Sequence, residues 1–200
     1  LVKKAETSKE GLLMMLSLAD KYLYGTASPL YNEAAYRGLL QSALISKALN
    51  KADKEPYQKQ LVILEMNNEG SAAVDFDMQL VDGSKAKLSD IEAPVSILFF
   101  YAADNLDCKL QRFRLTQARL VNYLQRAGGI KIVAVCVEGD KAAWEKFRAD
   151  SPKEWLHVFD ASGKIKSENL YDLRTLPRLY LLDEQKTVLL KNTKADDIEQ

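Results

Sequence analysis

The sequence predicts an α/β domain built on a mixed central sheet with helices on both faces, preceded by a small all-helical domain. Three observations carry this. Through the first 67 residues apolar side chains recur only at helical spacing. The polar, turn-prone stretch Asn67-Asn68-Glu69-Gly70-Ser71 then marks a change of period. Beyond it stand two continuous apolar runs, Val95 to Tyr101 and Ile130 to Val137, as strands show when buried on both faces. The expected domains are 1–67, helical, and 71–200, α/β.

In the helical part, Thr7 and Glu10 have capping-box spacing, and Leu12, Leu16, Ala19 and Leu23 follow at three and four residues. Gly25 and Ser28-Pro29 punctuate, with Pro29 suited to the first turn of a second helix. Tyr36, Leu39, Leu40, Ala43 and Ile45 to Ala48 give that helix its apolar face, ending near Asn50. A third helix is expected from Pro56 to Met66, with Tyr57, Leu61 and Leu64 on one side.

In the second part, Asp75 to Leu80 alternates, Asp82-Gly83 supplies a hairpin turn, and Lys85 to Leu88 returns. After the first buried strand one long helix is expected, with Leu106, Leu110, Phe113, Leu120 and Leu124 on its buried stripe. The second buried strand precedes a helix from Asp140 to Arg148. A short strand from Leu156 to Phe159, a turn at Ser162-Gly163, and strands Arg178 to Leu182 and Thr187 to Lys191 complete the set. The reading is of a sheet of four to five strands with a hairpin at its N-terminal end.

Composition narrows the function. Apolar residues make up 47% of the 200 and charged residues 28%, as in globular proteins. Basic and acidic residues number 28 each, so no charge excess points to nucleic acid. Two cysteines, Cys108 and Cys136, make no disulfide scaffold and no zinc spacing, and the single histidine is His157. No metal and no cofactor are expected. The longest apolar run, Gly11 to Ala19, is too short to span a bilayer, so no transmembrane segment is expected in this chain. It follows Lys3 and Lys4 as a signal-peptide core would, but Glu6 and Glu10 intervene, and it reads as an amphipathic helix.

In an open α/β sheet, chemistry sits where a central strand hands over to a helix N-terminus. Here that junction reads Phe99-Phe-Tyr-Ala-Ala-Asp-Asn-Leu-Asp-Cys-Lys109. It resembles the active-site entry of thioredoxin-like proteins, most closely the TlpA/ResA group of bacterial envelope thiol–disulfide oxidoreductases. Asp75 to Ser89 resembles the group's N-terminal hairpin, Ile130 to Glu138 its second core strand, and Phe159 to Ile165 the stretch before its proline loop. Tyr171-Asp-Leu-Arg-Thr-Leu-Pro177 resembles the loop holding its cis-proline. The helical part resembles a domain found before such modules in Gram-negative envelope proteins, through Lys21-Tyr-Leu-Tyr24, Ser28-Pro29 and Asn32-Glu33.

The resemblance implies a thioredoxin-like fold, a periplasmic or cell-envelope location with a leader not present in this chain, and a polypeptide or protein-thiol partner. It also implies a Cys-x-x-Cys pair, and here the chain departs. Cys108 falls on the second position, while Asn105 occupies the position of the attacking nucleophile. Asparagine forms no covalent bond there, yet it is among the best N-cap residues. Peroxiredoxins share the fold and resemble Pro-x-x-x-Thr-x-x-Cys at this point, but Tyr101 and Asn105 stand at the proline and threonine positions. The candidate site is Cys108 as catalytic thiol and Asn105 as the missing nucleophile. Tyr101, Leu176 and Pro177 are expected to line a polypeptide groove, which binds by strand addition and needs no cysteine.

Two functions remain open on these residues: a binding module that has lost dithiol exchange, and a single-cysteine oxidoreductase or peroxidase acting through Cys108. Cys136 reads as a small core residue and His157 as structural. Trp144 and Trp155 read as packing anchors. Lys109, Arg112, Arg114 and Arg119 read as a solvated helix face. A Cys108–Cys136 disulfide would join a helix start to a strand interior, which the required Cα separation disfavours.

Overall fold

In a computed structural model that describes residues 8–25 and 28–198, the first helix starts where the Ser8 hydroxyl accepts a hydrogen bond from the Gly11 N–H. The expected cap, Thr7, lies outside the described residues. Helix α1 spans Lys9–Ala19 and runs into one wider turn, Asp20–Tyr24. Helix α2, Glu33–Ile45, starts at Asn32, whose side chain accepts from Ala35 N. Pro29 therefore lies in the turn before the helix, not in its first turn. Ile45, expected on the buried face, is exposed because the helix ends there and Ser46 turns extended.

Helix α3 spans Lys51–Glu65 and holds Pro56 in its interior, although a start at Pro56 was the sequence expectation. The cause is a reciprocal cap. Asp53 N–H donates to Asn50 Oδ1 at 2.9 Å and Asn50 N–H to Asp53 Oδ2 at 3.2 Å. That pair satisfies first-turn donors and sets the start, while the helix forgoes one internal hydrogen bond at the proline. Leu12, Leu16, Tyr36, Leu40, Ala43, Leu61 and Leu64 form the core of this unit, Leu1–Glu65.

The second unit, Met66–Gln200, is organised by one sheet. Its strands are β1 (Asp77–Leu80), β2 (Lys85–Lys87), β3 (Val95–Ala102), β4 (Ile130–Glu138), β5 (Leu156–Phe159), β6 (Arg178–Asp183) and β7 (Val188–Thr193). The order is β2-β1-β5-β4-β3-β6-β7. Strands β3, β4 and β5 run parallel and all other pairings are antiparallel, which makes the sheet mixed. Seven strands exceed the four to five expected, because the hairpin β1–β2 does not stand apart but pairs with β5 through Gln79 and Leu80. Gly83 sits at φ +83° in the hairpin turn, a conformation open to glycine at no steric cost.

The helices are α4 (Leu106–Gln117), α5 (Arg119–Arg126), α6 (Lys141–Ala149), α7 (Lys164–Ser167) and α8 (Ala195–Ile198). Strand alternation splits the core in two. Ile97, Phe99 and Tyr101 of β3 with Ile132, Ala134 and Cys136 of β4 pack beneath Leu115, Val121, Trp144 and Phe147. Leu98, Phe100, Val133 and Val135 face Phe76, Leu88, Ile165, Tyr171 and Leu173. Strand β3 is thus buried on both faces, as its unbroken apolar run requires.

One expectation fails instructively. The long helix is two, broken at Ala118, where ψ turns to 108°. The buried positions of α4 are Cys108, Gln111 and Leu115, not Leu106, Leu110 and Phe113. Those three are 78%, 47% and 59% exposed, and Leu120 of α5 is exposed too. The phase of α4 is set at its start, by the cap at Asn105 and the seat of Cys108 against β3, so apolar count does not decide it. Replacing Leu115 by Ala should cost about 2–5 kcal/mol of stability by opening a core cavity. Leu110→Ala should cost about 0.5 kcal/mol or less in the monomer at low protein concentration, as an exposed substitution does. Chemical denaturation of the two variants checks this, and the reverse order would return α4 to the phase read from the sequence.

Candidate functional site

The site is built at the C-terminal end of β3. Pairing with β4 holds Tyr101 opposite Cys136, then slips so that Ala102 stands opposite Glu138. The slip lets the Ala102 N–H turn to the Cys108 sulfur, which accepts it at 3.4 Å. Ala103 N–H returns to the Glu138 carbonyl at 3.0 Å. Gly139, next in β4's exit, has φ +118°, and a Cβ there would lie 3.1 Å from the Ala103 Cβ. Glycine is required twice over at this point, for the backbone angle and for the close approach.

Asn105 then starts α4. Its backbone is extended (φ −73°, ψ 131°), and its side-chain oxygen accepts from the Cys108 N–H at 3.0 Å. Asn105 is therefore an N-cap, and the amide that it satisfies is that of Cys108. Asp104 and Asp107 are exposed beside it, as acids at a helix start commonly are.

Cys108 has no exposed surface. Burial pushes its thiol up to about 12, with the Ala102 N–H opposing and Asp107 and Glu138 adding to the rise. Cys136 is equally buried and donates to the Glu138 carbonyl at 3.2 Å. Burial pushes it up to about 11, against backbone hydrogen bonds at Glu138 and Ala103. Both cysteines are free thiols.

Tyr101 is wholly buried in the same cluster, stacked on Phe147 at 4.0 Å and beside Phe99 at 5.2 Å. It supports the site from beneath. The expectation that its side chain lines the groove is corrected by strand parity: Tyr101 shares the inner face with Ile97 and Phe99. Leu176 is half-buried against the cluster that holds Tyr101 and Cys108, and the Leu176–Pro177 peptide bond is cis.

Arg112, which the sequence places on a solvated helix face, is instead a clamp. Its guanidinium lies 4.7 Å over the Phe147 ring, donates to the Phe147 carbonyl at 3.1 Å and stands 3.7 Å from Asp150. It ties α4 to α6 at the ring that Tyr101 also stacks on. No local sequence signal marks such a contact 35 residues away. His157 is buried and directs Nε2 at the Pro152 carbonyl, 3.3 Å away, and burial lowers its pKa. Trp144 and Trp155 are buried in the core.

Among the described residues no group of His, Cys, Asp and Glu could hold a metal ion. No helix among them is long and apolar enough to cross a membrane. A cavity of about 510 Å³ lies at the hairpin and the Asp160–Lys164 turn, lined by side chains of both charges and by neither cysteine.

Strand order, the helix set on the end of β3 and the cysteine at its first turn define a thioredoxin-like protein of the thiol–disulfide oxidoreductase fold. The chain belongs to the AhpC/TSA family, whose model matches residues 70–191, and residues 1–67 match a domain of unknown function, DUF5106. It is similar to a thioredoxin-like protein from Bacteroides caccae, at 30% identity over 97% of this chain and 70% of that one, with a TM-score of 0.90. The C-terminal domain of an uncharacterized protein from Bacteroides fragilis is 34% identical over 67% of this chain and 96% of its own, with a TM-score of 0.65. A putative thiol:disulfide interchange protein DsbE from Chlorobium tepidum is 27% identical over 66% and 94%, with a TM-score of 0.56. No curated protein matches.

Two wholly buried thiols have consequences for pH. Each ionises near 9.0 in an ordinary setting and at about 12 and about 11 in the folded chain. The unfolded chain therefore releases protons above pH 9 that the folded chain retains. The stability from burying neutral thiols is complete below that value and falls as pH rises toward the folded values. Unfolding free energy should drop between about pH 9 and 11, and less steeply in a Cys136→Ala variant, as denaturation at stepped pH would show. A slope unchanged by that substitution would mean that Cys136 does not hold its proton in the fold.

Proposed function

We propose that the α/β unit is a non-catalytic, polypeptide-binding module of the cell envelope, descended from a dithiol oxidoreductase whose exchange chemistry it has lost. One observation carries the reading: Asn105, which by resemblance stands at the nucleophile's position, is a capping amide, and Cys108 is a thiol with no exposed surface. Without a nucleophile at 105, no mixed disulfide forms at the position a substrate would reach. A thiol at about 12 is also almost wholly protonated at neutral pH, whereas the thiolate is the attacking species.

What supports binding is the frame around the motif. The half-buried Leu176 packs against the cluster that carries Cys108. By resemblance to the TlpA/ResA group, the backbone at that position pairs with an extended polypeptide. Main-chain pairing of this kind gives affinity without covalent chemistry. The envelope location rests on the same resemblance, and Asn105, Leu176 and Pro177 are the residues assigned to the groove.

The natural protein should reduce insulin disulfides no faster than free thiol does. Cys108 should stay unlabelled by a thiol reagent until the chain is denatured. Asn105→Cys should yield a dithiol that oxidises with glutathione disulfide, two protein thiols becoming one disulfide as two glutathione thiols are released. Robust reductase or peroxidase turnover that disappears in Cys108→Ser would overturn the reading and make the single thiol the nucleophile.

A further inference from the structure

Leu106, Leu110 and Phe113 succeed one another on α4 at four and three residues, so they share one face. They are 78%, 47% and 59% exposed. Single exposed apolar side chains are ordinary, whereas a row of three along one helix marks an interaction surface.

The charges beside the row say what fits it. Asp107 and Arg114 stand on the same flank of the stripe, at equal distances before and after a point next to Leu110. Both are exposed. When two helices pack antiparallel about a twofold axis, each flank meets its own equivalent on the other helix. With the axis at Leu110, Asp107 of each copy meets Arg114 of the other. Two ion pairs of opposite sign form from one self-complementary edge. The same axis sets Leu110 against Leu110 and Leu106 against Phe113, and the helix dipoles oppose.

The other flank does not forbid this. Lys109 and Arg112 would approach each other there, but both are turned away. The Lys109 ammonium donates to the Asp104 carbonyl at 3.4 Å, and Arg112 is held over Phe147 and beside Asp150. Arg114 stands 3.7 Å from Asp196, with both side chains largely exposed. A surface pair of that kind contributes little and exchanges readily.

We infer that α4 is a self-association surface, on which a second copy of this chain docks antiparallel about a twofold axis at Leu110. The apolar row supplies the contact, and the reciprocal Asp107–Arg114 pairs fix its direction. This inference is independent of the polypeptide-binding reading.

Sedimentation velocity and light scattering of the full chain, up to about 300 µM, test it. The natural protein should dimerise and Leu110→Glu should be monomeric, with an unchanged circular dichroism spectrum because the side chain is exposed. Asp107→Arg and Arg114→Asp should each weaken dimerisation about tenfold or more, and together they should restore it. A natural protein monomeric at every concentration overturns the inference. So does a dimer that survives Leu110→Glu, and so does a double charge exchange no better than either single one.

Discussion

The burial of β3 on both faces is the constraint on which the rest depends. Ser96 to Tyr101 are all buried, with β4 on one side and β6 on the other. A strand held so offers neither face to solvent, and its end is the first point where the chain is free to turn. The slip in pairing after Tyr101 comes at that point. It releases one amide to the Cys108 sulfur and leaves the chain directed into α4. The site is therefore a consequence of how a central strand ends.

Two effects compete for the Cys108 proton. A helix N-terminus favours the thiolate by about 0.3–1 kcal/mol, and the Ala102 N–H adds to it. Loss of solvent opposes both and prevails, carrying the thiol to about 12. In a working dithiol motif the more exposed first position gains from the helix terminus without the full cost of burial. Asn105 at the start of α4 is an amide, so there the favourable field acts on a neutral cap.

Much of the sheet was legible because buried strands have few ways to be written. Val95 to Tyr101 and Ile130 to Val137 are too short and too evenly apolar to be surface helices. The faces of α4 were not legible. Leu106, Leu110 and Phe113 make a better apolar stripe than Cys108, Gln111 and Leu115, so periodicity chose the wrong side. What fixes the phase is a contact between Cys108 and Ala102, six residues apart, which helical spacing does not encode. The inward direction of Tyr101 was available from alternation with Ile97 and Phe99. The seven-stranded extent is not legible in the sequence, because the pairing of β1 with β5 joins residues about 80 apart.

Asn105 and buried Cys108 make most sense as one arrangement. An N-cap asparagine stabilises a helix by about 1 kcal/mol over a residue that does not cap, and cysteine is not among the capping residues. The amide capped is that of Cys108, so the same bond that starts α4 also holds the thiol in its seat. A nucleophile at 105 would require giving up this cap, along with some of the fixity of the helix start. One residue thus does both jobs at the strand end: Asn105 caps α4 and, through the amide it caps, seats the thiol against Ala102.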